Sequence, residues 1–155
     1  MVPSIVTDTG ALRIKCIKVT DIPSMIPFCE EVLVKTMLKN QGFGLSANQV
    51  GSNARIIAIQ TQQGPVVMIN PHIKTASEVM ALSSEECLSV PGKRGVVLRH
   101  KIVEIGYTNY FDRKKETMKL NGYYSFVFQH ELDHLNGVLF TDKLAFANNG
   151  INFTD

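Results

Sequence analysis

The segment GYYSFVFQHELDHLNG, residues 122–137, sets the terms on which this chain folds. Tyr123, Phe126, Val127, His130 and His134 recur at i, i+3, i+4, i+7 and i+11, so they share one face of an α-helix. Asn121 stands where a cap belongs, and Asn136-Gly137 is a stop signal. His130 and His134 are one turn apart, close enough for both imidazoles to bind one cation. Glu131 sits beside the first of them, where a carboxylate can take the proton of a water that the cation activates. Two solvated surface histidines would be the alternative. It conflicts with their sharing a stripe with Phe126 and Val127, which are expected to be buried, because buried imidazoles without a partner are costly.

An open catalytic metal site takes three protein ligands and a water. Beyond His134 the chain holds no His, Glu or Cys, and its acids there are Asp142 and Asp155. The third ligand is therefore expected upstream, from His72, His100, Cys16, Cys29 or Cys87. Cys87 lies in EECLSVP between strand-like flanks, whereas Cys16 and Cys29 fall in apolar patterns that suit small core residues.

The 155 residues, 45% apolar and 19% charged, suit a single catalytic domain over 1–155 with a core of its own. A net charge of +2 gives no charge-based case for a nucleic-acid or membrane partner. No apolar run approaches the ~18 residues of a spanning helix. The opening MVPSIVTDTG lacks the basic and apolar regions of a secretory signal. Three widely spaced cysteines suit a reducing compartment, so a cytoplasmic protein is expected.

Ahead of the histidine helix, LRIKCIKV (12–19) alternates like a strand or an extended lead-in. Asp21 or Ser24 can cap a first helix in which Phe28, Val32, Leu33 and Met37 recur at helical spacing, ending near Gly42. Residues 42–51 read as a glycine-punctuated loop. Strands are expected at 54–61 and 65–70, joined at Gln63-Gly64, with Pro71 ending the second. Residues 85–95 look irregular with a turn at Pro91-Gly92, and 96–110 is the longest strand. Residues 112–116 read as a turn and TMKLNG as a short strand. The order predicts an α+β fold, with antiparallel or mixed strands packed around the C-terminal H-E-x-x-H helix and a helix near the N-terminus.

Three segments, GFGLSANQ (42–49), EECLS (85–89) and QHELDH (129–134), resemble the G-x-G-x-A-A-x-Q, E-G-C-x-S and H-E-x-x-H motifs of the peptide deformylase family, in that order. With the leading helix and the interleaved strands, the resemblance covers most of the chain. It implies that Cys87, His130 and His134 are metal ligands and that Glu131 is the general acid/base. It gives Gln49 the role of side-chain donor to the developing oxyanion, with the Leu88 backbone N–H as its partner. The implied reaction removes formate from the formyl-methionine of nascent polypeptides. The implied metal is Fe²⁺, replaceable by Zn²⁺, Ni²⁺ or Co²⁺; two imidazoles and a thiolate by themselves suit zinc. A bacterial-type cytoplasmic monomer is implied, and the short tail, TDKLAFANNGINFTD, looks like the compact forms encoded by bacterial viruses. That tail shows no helical stripe of the kind some members use to dock on ribosomes.

Gly42 and Gly44 allow close backbone approach, so a peptide is expected to bind as an added strand. Tyr123, Phe126 and Val127 are candidate walls of a methionine pocket, and Phe43 and Leu45 can close its mouth. Glu85 and Arg99 are expected to pair and hold the Cys87 segment, and Arg94 to contact peptide beyond the methionine. Glu86 stands where the family usually has Gly, and Ser46 replaces one of its alanines. A carboxylate is not buried cheaply beside a metal site, so Glu86 is expected to face the substrate groove. Two rival readings are a zinc peptidase using Asp142 and a peptide-binding relative weakened by Glu86.

Overall fold

Strand β2 (Ile56–Thr61) is apolar on both faces because both faces are covered. Ile56 and Ala58 pack into one core with Cys29, Leu33, Met37 and Leu45. Ile57 and Ile59 pack into another with Val103, Ile105, Phe128 and Leu135. Fully burying each isoleucine contributes about 1.5–3 kcal/mol, so this strand ties the two cores together. The computed structural model describes residues 2–145 and the backbone of residues 153–154.

A short helix α1 (Thr9–Leu12) opens the described chain, capped by the Asp8 side chain on Gly10 N–H. The rest of the 12–19 segment is an extended lead-in: Cys16 N–H donates to Leu135 O at 2.9 Å, and Ile17 makes an isolated bridge to Ala54. Helix α2 (Ile22–Pro27) starts earlier than the apolar spacing predicts, with Asp21 accepting from Ser24 N–H. It widens into π-helical turns over Phe28–Val34 and tightens again as α3 (Lys35–Lys39). Pro27 has no N–H and crowds the preceding turn, which accounts for the widening there.

Five strands form an antiparallel sheet in the order β1-β2-β3-β6-β7: β1 (Gly44–Ser46), β2, β3 (Gly64–Ala76), β6 (Ile102–Asn109) and β7 (Lys115–Asn121). A smaller sheet holds β4 (Met80–Cys87), β5 (Val90–His100) and β8 (Phe153–Thr154). Helix α4 (Tyr123–Leu135) packs on the larger sheet opposite α2 and α3.

Several sequence expectations are corrected. Residues 42–51 form β1 and a 3-10 turn, Ala47–Val50, instead of a loop. Pro71 does not end β3: Asn70, at φ +51°, leaves the ladder in a bulge, where the missing proline N–H costs no pairing. The turn expected at Pro91-Gly92 lies inside β5, and the chain reverses at Leu88-Ser89. The long strand 96–110 is two strands in two sheets, broken at Lys101. Gly122, not Asn121, precedes α4, without a side-chain cap. Phe140–Lys143 is a 3-10 turn. The remainder of the tail that lacks a helical stripe, residues 146–152 and Asp155, lies outside the described residues.

Candidate active site

The free edges of the two sheets face each other across a cleft of about 750 Å³. Phe43 and Gly44 line it from the β1 side, Ser83 to Leu88 from the β4 side, and Tyr123, Phe126, Val127, His130 and Glu131 from α4. Gln49 and Arg94 also line it. Phe43 and Tyr123 meet edge to face at 5.4 Å. Phe126 and Val127 are half-buried because their helix face forms a cleft wall, while Phe128 and Leu135 carry the core packing. Leu45 does not close the mouth: it is fully buried in the core beside Met37 and Cys29.

Helix spacing brings His130 and His134 together, with ring centroids 5.0 Å apart. The bulge at the end of β4 adds Cys87. One ligand atom from each of the three lies within 4.8 Å of the others, and Cys87 Sγ is 3.3 Å from His134 Nε2. His72, His100, Cys16 and Cys29 are not part of this group. Asp142 is held elsewhere by the guanidinium of Arg13 and the backbone N–H of Leu139.

The donor set fits a divalent cation. His130 donates through Nδ1 to Glu85 Oε1 at 2.8 Å, which leaves Nε2 as its ligand atom. Burial opposes a charge on His130, yet hydrogen bonds to Cys87 and Glu85 raise its pKa to about 10. Glu85 and Cys87 thus make this corner of the cleft attractive to positive charge. Burial, with the charges of His130 and Arg99, pushes His134 well below its ordinary value, keeping that imidazole neutral and available as a ligand.

A buried ionic chain fixes these ligands. Arg99, 2% exposed, grips Glu85 with two bonds, Nε to Oε2 at 2.9 Å and Nη2 to Oε1 at 2.8 Å. Its Nη1 also donates to Asp133 Oδ2 at 2.6 Å. Burial pushes the Glu85 carboxyl up, but the bonds from Arg99 and His130 prevail and hold it at about 2. Asp133 was missed in the sequence, although its place inside H-E-L-D-H was a signal. Asn48 was also missed: its amide donates to His134 O at 2.8 Å and anchors the end of α4.

Gln49 is oriented by its neighbours. Its Oε1 accepts from Ser46 N–H and from Ser46 Oγ, both at 3.0 Å. Its Nε2 therefore turns toward the site, donating to Ser89 Oγ at 3.0 Å and reaching Cys87 Sγ at 3.6 Å. The S-x-x-Q spacing of Ser46 and Gln49 is a capping-box signature that could have indicated this. Burial raises the Glu131 carboxyl to about 7, outweighing the attraction of His130, and its Oε1 is buried without a hydrogen-bond partner among the described residues.

The family model for polypeptide deformylase matches residues 3–149. The chain is 44% identical over 137 residues to a peptide deformylase of Finegoldia magna, covering 86% of this chain and 83% of that one. Among solved structures it is similar to the peptide deformylase of Thermotoga maritima, with a TM-score of 0.88 and 33% identity over 94% of this chain and 99% of the other. A Met-Ala-Ser-bound peptide deformylase from Acinetobacter baumannii matches with a TM-score of 0.85 and 28% identity, over 93% and 99% of the two chains.

Proposed function

Since the chain belongs to the polypeptide deformylase family, a metal-dependent hydrolase that takes the formyl group from the formyl-methionine of nascent polypeptides, we propose a role for each residue of its cleft. Cys87, His130 and His134 hold the divalent cation, with Fe²⁺ favoured by the family and Zn²⁺, Ni²⁺ or Co²⁺ as replacements. When bound, the cation supplies Lewis acidity, acidifying water and polarising the formyl carbonyl.

Glu131 accepts the proton of the attacking water and passes it to the departing amine. Burial pushes this carboxyl up toward its protonated form, which favours its taking a proton from water and holding it for the amine. Gln49 Nε2–H donates to the oxyanion that develops on the formyl oxygen. Its acceptor end is already committed to Ser46, so the amide need not reorient as charge appears. The Leu88 backbone N–H is the second donor. One such donor typically lowers the barrier by about 3 kcal/mol.

The peptide lies extended between the free edges of β1 and β4, with its backbone against Gly44. The methionine side chain enters the apolar part of the cleft formed by Phe126, Val127 and Tyr123, and Phe43 closes over it. The chain works as one catalytic unit and as a monomer in the cytoplasm, where nascent polypeptides carry their formyl group.

The observation that carries this reading is the convergence of three ligand atoms within 4.8 Å of one another, beside a buried Glu131, at the wall of a peptide-sized cleft. The test is formate release from formyl-Met-Ala-Ser by the metal-loaded protein. Release that disappears in Glu131→Ala supports it; cleavage of the Met-Ala bond without formate overturns it.

A further inference from the structure

The cleft is lined by three carboxylates among the described residues, Glu85, Glu86 and Glu131. Glu85 is buried and saturated by Arg99 and His130, and Glu131 is buried beside the metal ligands. Glu86 differs from both. It is exposed, and its side chain enters no hydrogen bond or ion pair among the described residues. The alternation of β4 explains why: Ser83 and Glu85 turn inward, so Glu86 turns toward solvent.

Its position along the cleft is set by its neighbours. Glu86 directly precedes the ligand Cys87, on the strand edge that leaves β4 without a partner on the cleft side. A substrate whose formyl group reaches the ligands, and whose methionine points to α4, must carry its next residues out past that edge. Formylation removes the positive charge of the peptide's amino end, so charge recognition has to come from later side chains. Lys93 and Arg94 also line the cleft from β5, Arg94 standing beside Glu86 in the ladder and engaged in a contact of its own.

We propose that Glu86 is a specificity-determining residue that favours Lys or Arg over Asp or Glu in the first two positions after formyl-methionine. The proposal rests on the deformylase reading and adds to it a preference for basic peptides. An exposed charge pair is worth little, so the expected discrimination is about two- to five-fold and is weakened by salt.

The experiment compares kcat/KM of the metal-loaded enzyme for formyl-Met-Lys-Ser against formyl-Met-Glu-Ser, and for formyl-Met-Ala-Lys against formyl-Met-Ala-Glu. Each pair is measured at low and high salt. The expected Lys:Glu ratio in at least one pair is about two to five at low salt. It arises mainly in KM, shrinks at high salt, and falls to about one or below in Glu86→Gln. Using a ratio within each variant removes differences in metal content or total activity. A wild-type ratio of one, or a ratio that Glu86→Gln leaves unchanged, overturns the proposal. Failure of the deformylase reading would look different, since formyl-Met-Ala-Ser itself would then release no formate from the wild-type enzyme.

Discussion

Gly44 lies so close to Glu131 that no side chain fits between them: a Cβ at Gly44 would stand 2.8 Å from both Cγ and Oε2 of Glu131. It would also stand 2.9 Å from Cγ1 of Val127. The first strand of the large sheet is therefore pressed against the Glu131 carboxylate, and glycine is required by contact, not by backbone angle. Gly44→Ala is expected to displace Glu131 while leaving Cys87, His130 and His134 untouched. A misplacement of about 1 Å at a catalytic group costs on the order of 100-fold. The predicted variant keeps its metal, measured by elemental analysis, and loses about that factor in kcat/KM for formate release. Full activity in a metal-replete Gly44→Ala protein would refute the contact argument.

The chain Arg99–Glu85–His130 links a buried ion pair to a ligand's orientation, and the two roles separate by mutation. Arg99→Met leaves the Glu85 carboxylate buried without its cation, at a cost of about 3–5 kcal/mol in urea unfolding. Removing both charges, as in Arg99→Met/Glu85→Leu, is expected to restore most of that stability, since apolar replacements of buried pairs are often neutral. The double variant still lacks the acceptor that holds His130 Nδ1, so its metal affinity is expected to stay about 10–100-fold weaker. Competition with a chelator measures that affinity. Recovery of both properties together would show that Glu85 does not orient the ligand.

The histidine helix was legible because its period and its stop are local: five residues on one stripe, then Gly137, whose φ of +76° suits a chain leaving a helix. The pairing of Glu85 with Arg99 was also legible by position. Asp133 as a third member was not, because it comes from a helix and meets the guanidinium only after packing. The break at Lys101 was hidden by β-branched residues on both sides of it, which fit strands equally well in either sheet. Pro91-Gly92 carried the strongest local turn signal near Cys87, yet β5 absorbs Gly92 at φ +77° and the chain turns at Leu88-Ser89 instead. Leu45 was misplaced for a related reason. Glycines around it suggested a loop, whereas a three-residue edge strand turns it into the core. Spacing alone left Cys87 among five candidate third ligands. Its place beside His130 and His134 depends on a long-range contact that the three ordered motifs implied and no local pattern encodes.

Away from the cleft, the buried Cys29 thiol is expected to weaken the fold at alkaline pH. Cys29 lies in the π-helical turns Phe28–Val34, fully buried against the core, and that burial, with a smaller push from the charge of Glu30, raises its thiol from 9.0 to about 12. The folded pKa is raised, so below pH 9 both states keep the proton and this group leaves stability unchanged. Between pH 9 and about 12 the unfolded chain loses the proton and the folded one does not, so stability falls as pH rises. One thiol contributes a slope of up to about 1.4 kcal/mol per pH unit. Urea unfolding of wild type and Cys29→Ala from pH 8 to 10.5 should show the wild-type free energy falling more steeply by roughly this amount. Cys16, also raised by burial, is present in both proteins and cancels in the comparison. The variant starts lower because it loses buried contacts, so the difference between the two proteins is expected to narrow as pH rises. Parallel curves would mean that the Cys29 thiol ionises as readily in the core as in the unfolded chain.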